Sequence, residues 1–465
     1  MLKLPARYSR WVPLLAPAAL ILLFIHLNSG FSSDSLAAYE PAVSHTPLHY
    51  SPERTIQPSQ SSLSATDSDL PASCRPLPGM EDVLVVLKTG ITEAQDKVPV
   101  HVRTTLRCIP NKLIVSDFEE EIAGLKTYDV FRNSSEELRA NEDFALYNRA
   151  RERGRQGLLN TDHTKVENGM GGMSGNPGWK LDKWKFLPMV TEARNYMPDA
   201  KWYVFMEADT YPIWPNLVAW LAEFPADQKL YIGNQMMIGD DVFAHGGSGF
   251  ILSHDAIHAV ADEYGLRPAA WHERTHQHWA GDCILGIALA TIGIPLLWSW
   301  PHVTDRSLWE QDALNEGFGT QQWCYPPFTF HHMTPKDVDR IHDFELQWFA
   351  NDKHSLLLYS DLFKNLVRPM LESYAENWDN FAQTELKREG DNSPFTPYEC
   401  AEQCALDVNC LQYRIDDSGR CSTTDQALRG RASAGVKSGT MMWRVDARIK
   451  ERGKCQKPKF VTANP

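Results

Sequence analysis

Trp202-Tyr-Val-Phe-Met-Glu-Ala-Asp-Thr-Tyr-Pro212 decides the reading of this chain. Five consecutive apolar residues give way abruptly to two carboxylates, Glu207 and Asp209. A run without polar alternation reads as a strand buried on both faces, the kind found at the centre of an α/β sheet. Such sheets present ligands at the carboxyl ends of their strands, so acids placed there face a crevice. The chemistry of the protein is expected at this strand end.

Working outward, Asp82-Val-Leu-Val-Val-Leu-Lys88 and Lys112-Leu-Ile-Val-Ser-Asp117 repeat the pattern, with helical spacing over Val98 to Cys108 between them. Strand, helix and strand in that order predict a right-handed parallel crossover, the opening of a doubly wound nucleotide-binding sheet. Thr89 and Gly90 would let a ligand approach the backbone, and Asp117 could hydrogen-bond a base or ribose; a turn and a helix cap are the plain alternatives. Residues 131 to 178 are polar, then Gly-rich at Gly169, Gly171, Gly172, Gly175 and Gly178, which predicts a long loop or insertion. Helical spacing resumes from Trp179 to Tyr196, with Pro188 expected to kink or interrupt it.

Past the central strand, Lys229 to Asn234 reads as another strand. His245-Gly-Gly-Ser-Gly-Phe-Ile-Leu-Ser253 places glycines directly before an apolar segment. Gly246, Gly247 and Ser248 could hold a sugar or phosphate against the main chain, or simply form a tight turn. Asp282 opens the helical pattern that runs to Thr291 and is either a dipole-favoured acid or a functional carboxylate. Phe328-Thr-Phe-His-His-Met333 sets two imidazoles after an aromatic strand, where alternation allows one to each face.

Paired carboxylates at a strand end suit a hard divalent cation, Mn²⁺ or Mg²⁺, which often shares its oxygen ligands with substrate phosphates. An imidazole from His331 or His332 would complete such a site and favour Mn²⁺. A diphosphate leaving group gains charge as it departs and needs that help. An acceptor hydroxyl must lose its proton, and Asp282 is the candidate base.

The chain has 465 residues, is 43% apolar and 11% aromatic, and carries a formal net charge of −13. It can bury a sizeable core in two or three domains. The acidic balance, with no basic stripe, excludes a nucleic-acid binder. Lys3, Arg7 and Arg10 precede an apolar span from Trp11 to Leu27, and no further Lys or Arg follows until Arg54. That asymmetry predicts a cytosolic tail (1–10), a signal anchor (11–27) and a far-side remainder. A cleaved signal peptide with Ser35-Leu36-Ala37 as its site is the alternative, although the site lies far beyond the span. Residues 28–78, rich in Ser, Pro and Thr, read as a flexible stem. The sequon at Asn133 fits an extracytoplasmic location. A helical linker is expected over 351–392, then a Cys-rich module over 393–455. There Cys400, Cys404, Cys410 and Cys421 fit two disulfides in an oxidising compartment better than zinc.

Taken in order, these segments resemble the glycosyltransferase family that contains fringe and the core 1 β1,3-galactosyltransferases, over about residues 80 to 345. The resemblance rests on His101-Val-Arg-Thr-Thr-Leu-Arg-Cys108 with Asn111-Lys-Leu-Ile-Val-Ser116, Trp179-Lys-Leu-Asp-Lys183, Trp202 to Tyr211, Gly246-Gly-Ser-Gly-Phe250, Gly281-Asp-Cys283 and Phe330-His-His332. It implies a GT-A, Rossmann-like α/β domain over 79–350 and inverting transfer of a hexose or N-acetylhexosamine from a UDP-sugar donor. The product would be a β1,3-like linkage on a glycan or glycoprotein acceptor. It also implies roles for residues: a metal held by Glu207, Asp209 and His331, with His332 one register slip away, Ala208 and Lys183 on the donor side, and Asp282 as catalytic acid or base. Family members usually carry Asp where this chain has Glu207 and often where it has Ala208, and an acid often stands in place of Gly281.

The Cys-rich module resembles a small α+β PAN/apple domain, and the combination looks most like fungal members. The implied protein is a single-pass type II Golgi enzyme with its catalytic domain in the lumen, with room for a homodimer. A catalytically silent luminal carbohydrate-binding protein on the same fold is the alternative. Two carboxylates at i and i+2 of one extended segment do not flank a scissile bond, which disfavours a glycosidase.

Overall fold

In the computed structural model, residue 71, residues 74–163, 177–350, 356–388, residue 390 and residues 393–461 are described. The apolar span 11–27, most of the stem and the glycines from Gly169 to Gly175 lie outside them. Among the described residues no helix is long and apolar enough to cross a membrane.

The apolar runs form strands as their patterns require. β1 (Val83–Lys88) and β2 (Lys112–Ser116) are parallel neighbours joined through the helix Ala94–Arg103; β3 (Glu121–Ile122) and β4 (Leu125–Asp129) extend that side. β5 (Trp202–Glu207) lies parallel to β1 with Lys88 beside Glu207. Then come β6 (Tyr211–Pro212), β7 (Tyr231–Gly233), the ribbon β8 (Gln235–Ile238) and β9 (Asp241–Ala244), β10 (Phe250–Ser253) and β11 (Leu296–Trp298). The main sheet runs β11-β7-β10-β5-β1-β2-β4-β3. Only β10 and β3 run against the others, so the carboxyl ends of β1, β2, β5, β7 and β11 share one edge. This mixed α/β sheet fits a GT-A type domain.

Two apolar layers sandwich the sheet. The helices Phe186–Tyr196, His254–Leu266 and Gly281–Thr291 cover one face, and Trp214–Leu221 packs on the other. The expected break in the helical stretch 179–196 occurs, but Pro188 does not cause it. Helix Pro177–Asp182 ends before Lys183, and Pro188 is the third residue of the next helix, where a missing N–H costs nothing. The expected loop at 131–178 also needs correction. It contains the helices Glu136–Arg139 and Ala145–Arg153, and Phe131, Phe144 and Tyr147 pack there on Ile91 and Trp184. Asn133 is exposed, as a glycosylation acceptor requires.

Beyond the sheet, β12 (Glu316–Gly317) and β13 (Thr320–Gln321) form a small hairpin, and β14 (Thr329–Phe330) pairs antiparallel with β6. Residues 351–392 are not simply a helical linker. Helical turns occupy 359–370, after which β15 (Ala375–Asp379) and β16 (Thr384–Glu385) join the C-terminal sheet with β17 (Gln412–Ile415), β18 (Cys421–Thr424) and β19 (Arg431–Thr440). Helix Pro397–Leu406 lies on this sheet and is stapled by Cys400–Cys421 and Cys404–Cys410. Buried Arg444 donates to the carbonyls of Cys404, Ala405, Asp407 and Cys410, satisfying the end of that helix. Cys74–Cys108 and Cys324–Cys455 are further disulfides, and Cys283 is free and buried.

The module shares its core with the rest of the chain: Leu411, Ala427 and Val445 are buried in one cluster with Tyr211, Leu308, Trp309 and Phe330.

Candidate active site

The turn after β5 is tied at every residue. The Thr210 hydroxyl accepts the Glu207 N–H at 3.1 Å and donates to the Gly247 carbonyl at 2.7 Å. Buried His101 bonds the Ala208 carbonyl through Nε2 at 2.9 Å and Thr105 through Nδ1 at 2.8 Å. Since a carbonyl only accepts, Nε2 carries the proton. Burial lowers the His101 pKa to about 4 and keeps the ring neutral. Ala208 thus contributes its carbonyl, held from behind by a histidine to which the sequence assigned no role.

Strand pairing then delivers the imidazoles. β6 against β14 places Phe330 opposite Tyr211, and the Met333 N–H donates to the Asp209 carbonyl at 2.9 Å. One ligand atom each from Asp209, His331 and His332 falls within 4.8 Å of the others. The expectation that only one imidazole could face the site is overturned. His332 adopts φ 57°, which breaks the strand alternation and swings both rings to one side, centroids 3.8 Å apart. His331 and His332 each bury an Nδ1 without a hydrogen-bond partner. Orphaned imidazole nitrogens beside a carboxylate fit a divalent cation.

Burial opposes ionisation of Asp209, but His331, with Nε2 3.3 Å away, and Lys97, at 3.0 Å, outweigh it and hold the carboxyl well below its usual range. Burial, aided by His331, lowers His332 to about 4, so that ring is neutral and able to ligate.

Glu207 stands apart from these three groups. Its carboxylate lies 3.1 Å from Lys88 Nζ, and Lys88 also pairs with Asp182. Lys185 bonds Asp117 at 2.9 Å, Asp182 at 3.3 Å and the Thr89 carbonyl at 2.8 Å. Burial works against both ammonium groups, yet the surrounding carboxylates outweigh it and raise them. Two lysines and three acids therefore form a charge network under the ends of β1, β2 and β5.

This network reassigns several expected donor contacts. Asp117 is buried, accepts the Ile91 N–H at 2.8 Å and fixes the Thr89-Gly90-Ile91 turn, with its carboxylate already engaged by Lys185. Gly90 lets this pair approach the turn closely, since a Cβ there would lie 2.9 Å from Lys185 Nζ and 3.0 Å from Asp117. Thr89 keeps a buried hydroxyl without a partner. Lys183 turns away to Asp143 at 2.9 Å and the His276 carbonyl at 3.4 Å. Its neighbour Asp182 is the residue of this segment that joins the network.

The glycine turn joins the halves of the site. Gly246 N–H donates to Asp282 Oδ2 at 2.9 Å, and a Cβ on Gly247 would run into the His331 ring. Ser248 is buried, with its hydroxyl 2.8 Å from His245 Nδ1 and its carbonyl accepting from Thr329 at 2.7 Å. These three residues thus contact the protein's own site groups. Asp282 also accepts the Cys283 N–H at 2.9 Å. Burial dominates its titration and raises the carboxyl, with His245 and the two N–H groups opposing. A desolvated carboxylate at a helix start is a suitable proton acceptor. Gly281 cannot be an acid here, because a Cβ would lie 2.6 Å from Lys183 Cα and 2.5 Å from Phe186 Cδ2.

Residues 179–310 match the family model described as Fringe-like. Among solved structures, a glycosyltransferase involved in glycosylating the major capsid of PBCV-1 aligns at 11% identity and TM-score 0.25, covering 56% of this chain and 99% of that one. The galactosyltransferase LgtC in complex with donor and acceptor sugar analogues aligns at 12% identity and TM-score 0.23, covering 46% and 72%. These superpositions are too shallow to bear on mechanism. The matched segment of this chain holds the β5 carboxylates, the glycine turn and Asp282, and its similarity to the fringe-like family supports a glycosyltransferase activity.

Proposed function

We propose that this protein is an inverting, metal-dependent transferase that moves a hexose or N-acetylhexosamine from a UDP-sugar to a glycan or glycoprotein hydroxyl, with a β1,3-like linkage. The observation that carries the reading is the glycine turn, which bonds Asp282 through Gly246 and packs against His331 through Gly247. Asp209, His331 and His332 would hold a divalent cation, Mn²⁺ or Mg²⁺, whose charge stabilises a departing nucleoside diphosphate. Asp282 accepts the proton of the attacking hydroxyl, while two backbone N–H groups keep its carboxylate oriented. The Lys88–Lys185 network keeps the β1 and β5 ends rigid beneath the donor.

In the same reading the span 11–27 anchors a type II Golgi protein whose catalytic domain is luminal, consistent with four disulfides. The helix on an antiparallel sheet with two staples is consistent with a PAN/apple-like module.

The test is Mn²⁺-dependent UDP release by the full chain across a UDP-sugar panel. Asp209→Ala should abolish Mn²⁺-dependent donor binding, and Asp282→Asn should retain donor binding while transfer falls by about 10²-fold or more. Release from no donor, or undiminished transfer by Asp282→Asn, refutes the reading.

A further inference from the structure

The carboxyl-end edge of the sheet differs on its two sides. On the β1/β2 side of Asp209 lie buried lysines and carboxylates; on the β7/β11 side lies an aromatic cluster. Trp298 ends β11 in register with Gly233 of β7. Its Nε1 donates to the Asn234 side chain at 3.3 Å, and the Asn234 carbonyl accepts the His245 N–H at 2.8 Å. The cluster is therefore continuous with the turn that contacts Asp282 and His331.

Trp300 stands two residues on, and the β12–β13 hairpin rests on it, since a Cβ on Gly317 would lie 2.8 Å and 3.0 Å from the indole ring. The hairpin tip carries Phe318, edge-on to Trp298 and Trp300 with centroids 5.3 Å and 5.2 Å away. Phe318 is 78% exposed and adopts φ 48°. A bulky residue in that region is strained, and so much exposure returns little burial. The two indoles hold the ring in place while most of it stays open to solvent.

We propose that Phe318, braced by Trp298 and Trp300, is an acceptor subsite that stacks on the C–H face of a pyranose ring of the acceptor glycan. Aromatic faces recognise such surfaces, and this one lies on the side of Asp209 away from the charge network. The proposal rests on the glycosyltransferase reading.

The test uses the full chain with Phe318→Gly, since glycine adopts this backbone conformation without strain, and Phe318→Tyr as the conservative variant. Saturation-transfer NMR with methyl glycosides of galactose, glucose, mannose and N-acetylgalactosamine should show transfer to at least one of them. That signal should be lost in Phe318→Gly and retained in Phe318→Tyr. With an accepted glycoside, the acceptor KM should rise about tenfold in Phe318→Gly, more than the donor KM does. An unchanged acceptor KM, equal saturation transfer in both variants, or no transfer to the wild-type protein overturns the subsite. Failure of the enzymatic reading shows separately, as absence of UDP release from every donor.

Discussion

Gly247→Ala tests whether the glycine turn positions His331. The added methyl would lie inside contact distance of His331 Cε1 and Nε2 and 2.9 Å from Nδ1. Carbon and nitrogen settle about 3.5 Å apart, so the ring must retreat by about 1 Å. The methyl cannot yield instead, because the Gly247 carbonyl is held by Thr210 at 2.7 Å. The neighbouring rings, with the His332 centroid at 3.8 Å and that of His245 at 5.2 Å, limit where the His331 ring can go. Misplacement by this much costs turnover about 10²-fold. Disturbing a ligand's orientation weakens metal binding about 10–100-fold, and overpacking costs about 1–3 kcal/mol of stability. Free Mn²⁺ measured by electron paramagnetic resonance during titration gives the affinity, with UDP release and thermal melts in parallel. Gly239→Ala is the control, since it combines φ 61° with open space and strains the backbone away from the site. A folded Gly247→Ala protein with wild-type Mn²⁺ affinity and turnover would refute the reasoning.

Burial raises Glu345 to about 7, opposed by the Tyr211 hydroxyl it accepts at 2.6 Å. The folded carboxyl holds its proton above its unfolded value, so its contribution is full below about pH 4 and lost as pH rises through about 7, by up to about 3 kcal/mol. Glu345→Gln should flatten that decline in denaturant melts at pH 5 and pH 8; an unchanged pH slope would contradict it. Cys455→Ser opens a link spanning 131 residues and should cost about 2–5 kcal/mol, read as earlier thermal unfolding. A chain cut near residue 390 lacks β17, β18 and β19 and the buried Leu411, Ala427 and Val445, so it should be recovered only as aggregate. A monodisperse, UDP-releasing fragment would show that the shared core is dispensable.

The strands were legible because runs such as Val83 to Leu87 and Trp202 to Met206 are buried on both faces and stop at a charge. Asp209, His331 and Asp282 stand out in the sequence because each terminates or opens an element, where side chains meet the crevice, and the structure brings Asp209 and His331 together. The expectation of one imidazole to each face fails for a definite reason: alternation governs a regular strand, and one left-handed residue suspends it. The network of Lys88, Asp117, Asp182, Lys185 and Glu207 was missed because no local pattern says which lysine becomes desolvated. The trace it leaves is Lys88 itself, a charge ending an otherwise apolar run. The module boundary was missed because β15 carries polar residues on an incompletely buried strand and lacks the alternation that identifies one.

The return of the segment after Cys455 to the catalytic unit also constrains the order of assembly. Val461 donates to His302 Nε2 and accepts from Trp220 Nε1, and Lys459 donates to the Cys324 carbonyl beside the Cys324–Cys455 bridge. During vectorial synthesis, Trp220 leaves the ribosome long before its partner 241 residues later. Contacts closed over such separations form slowly, so the nascent catalytic sheet must wait, partly uncovered, for the tail that seals it. Oxidation of Cys455 and closure of the core therefore converge in time, making this the stage at which folding assistance matters most.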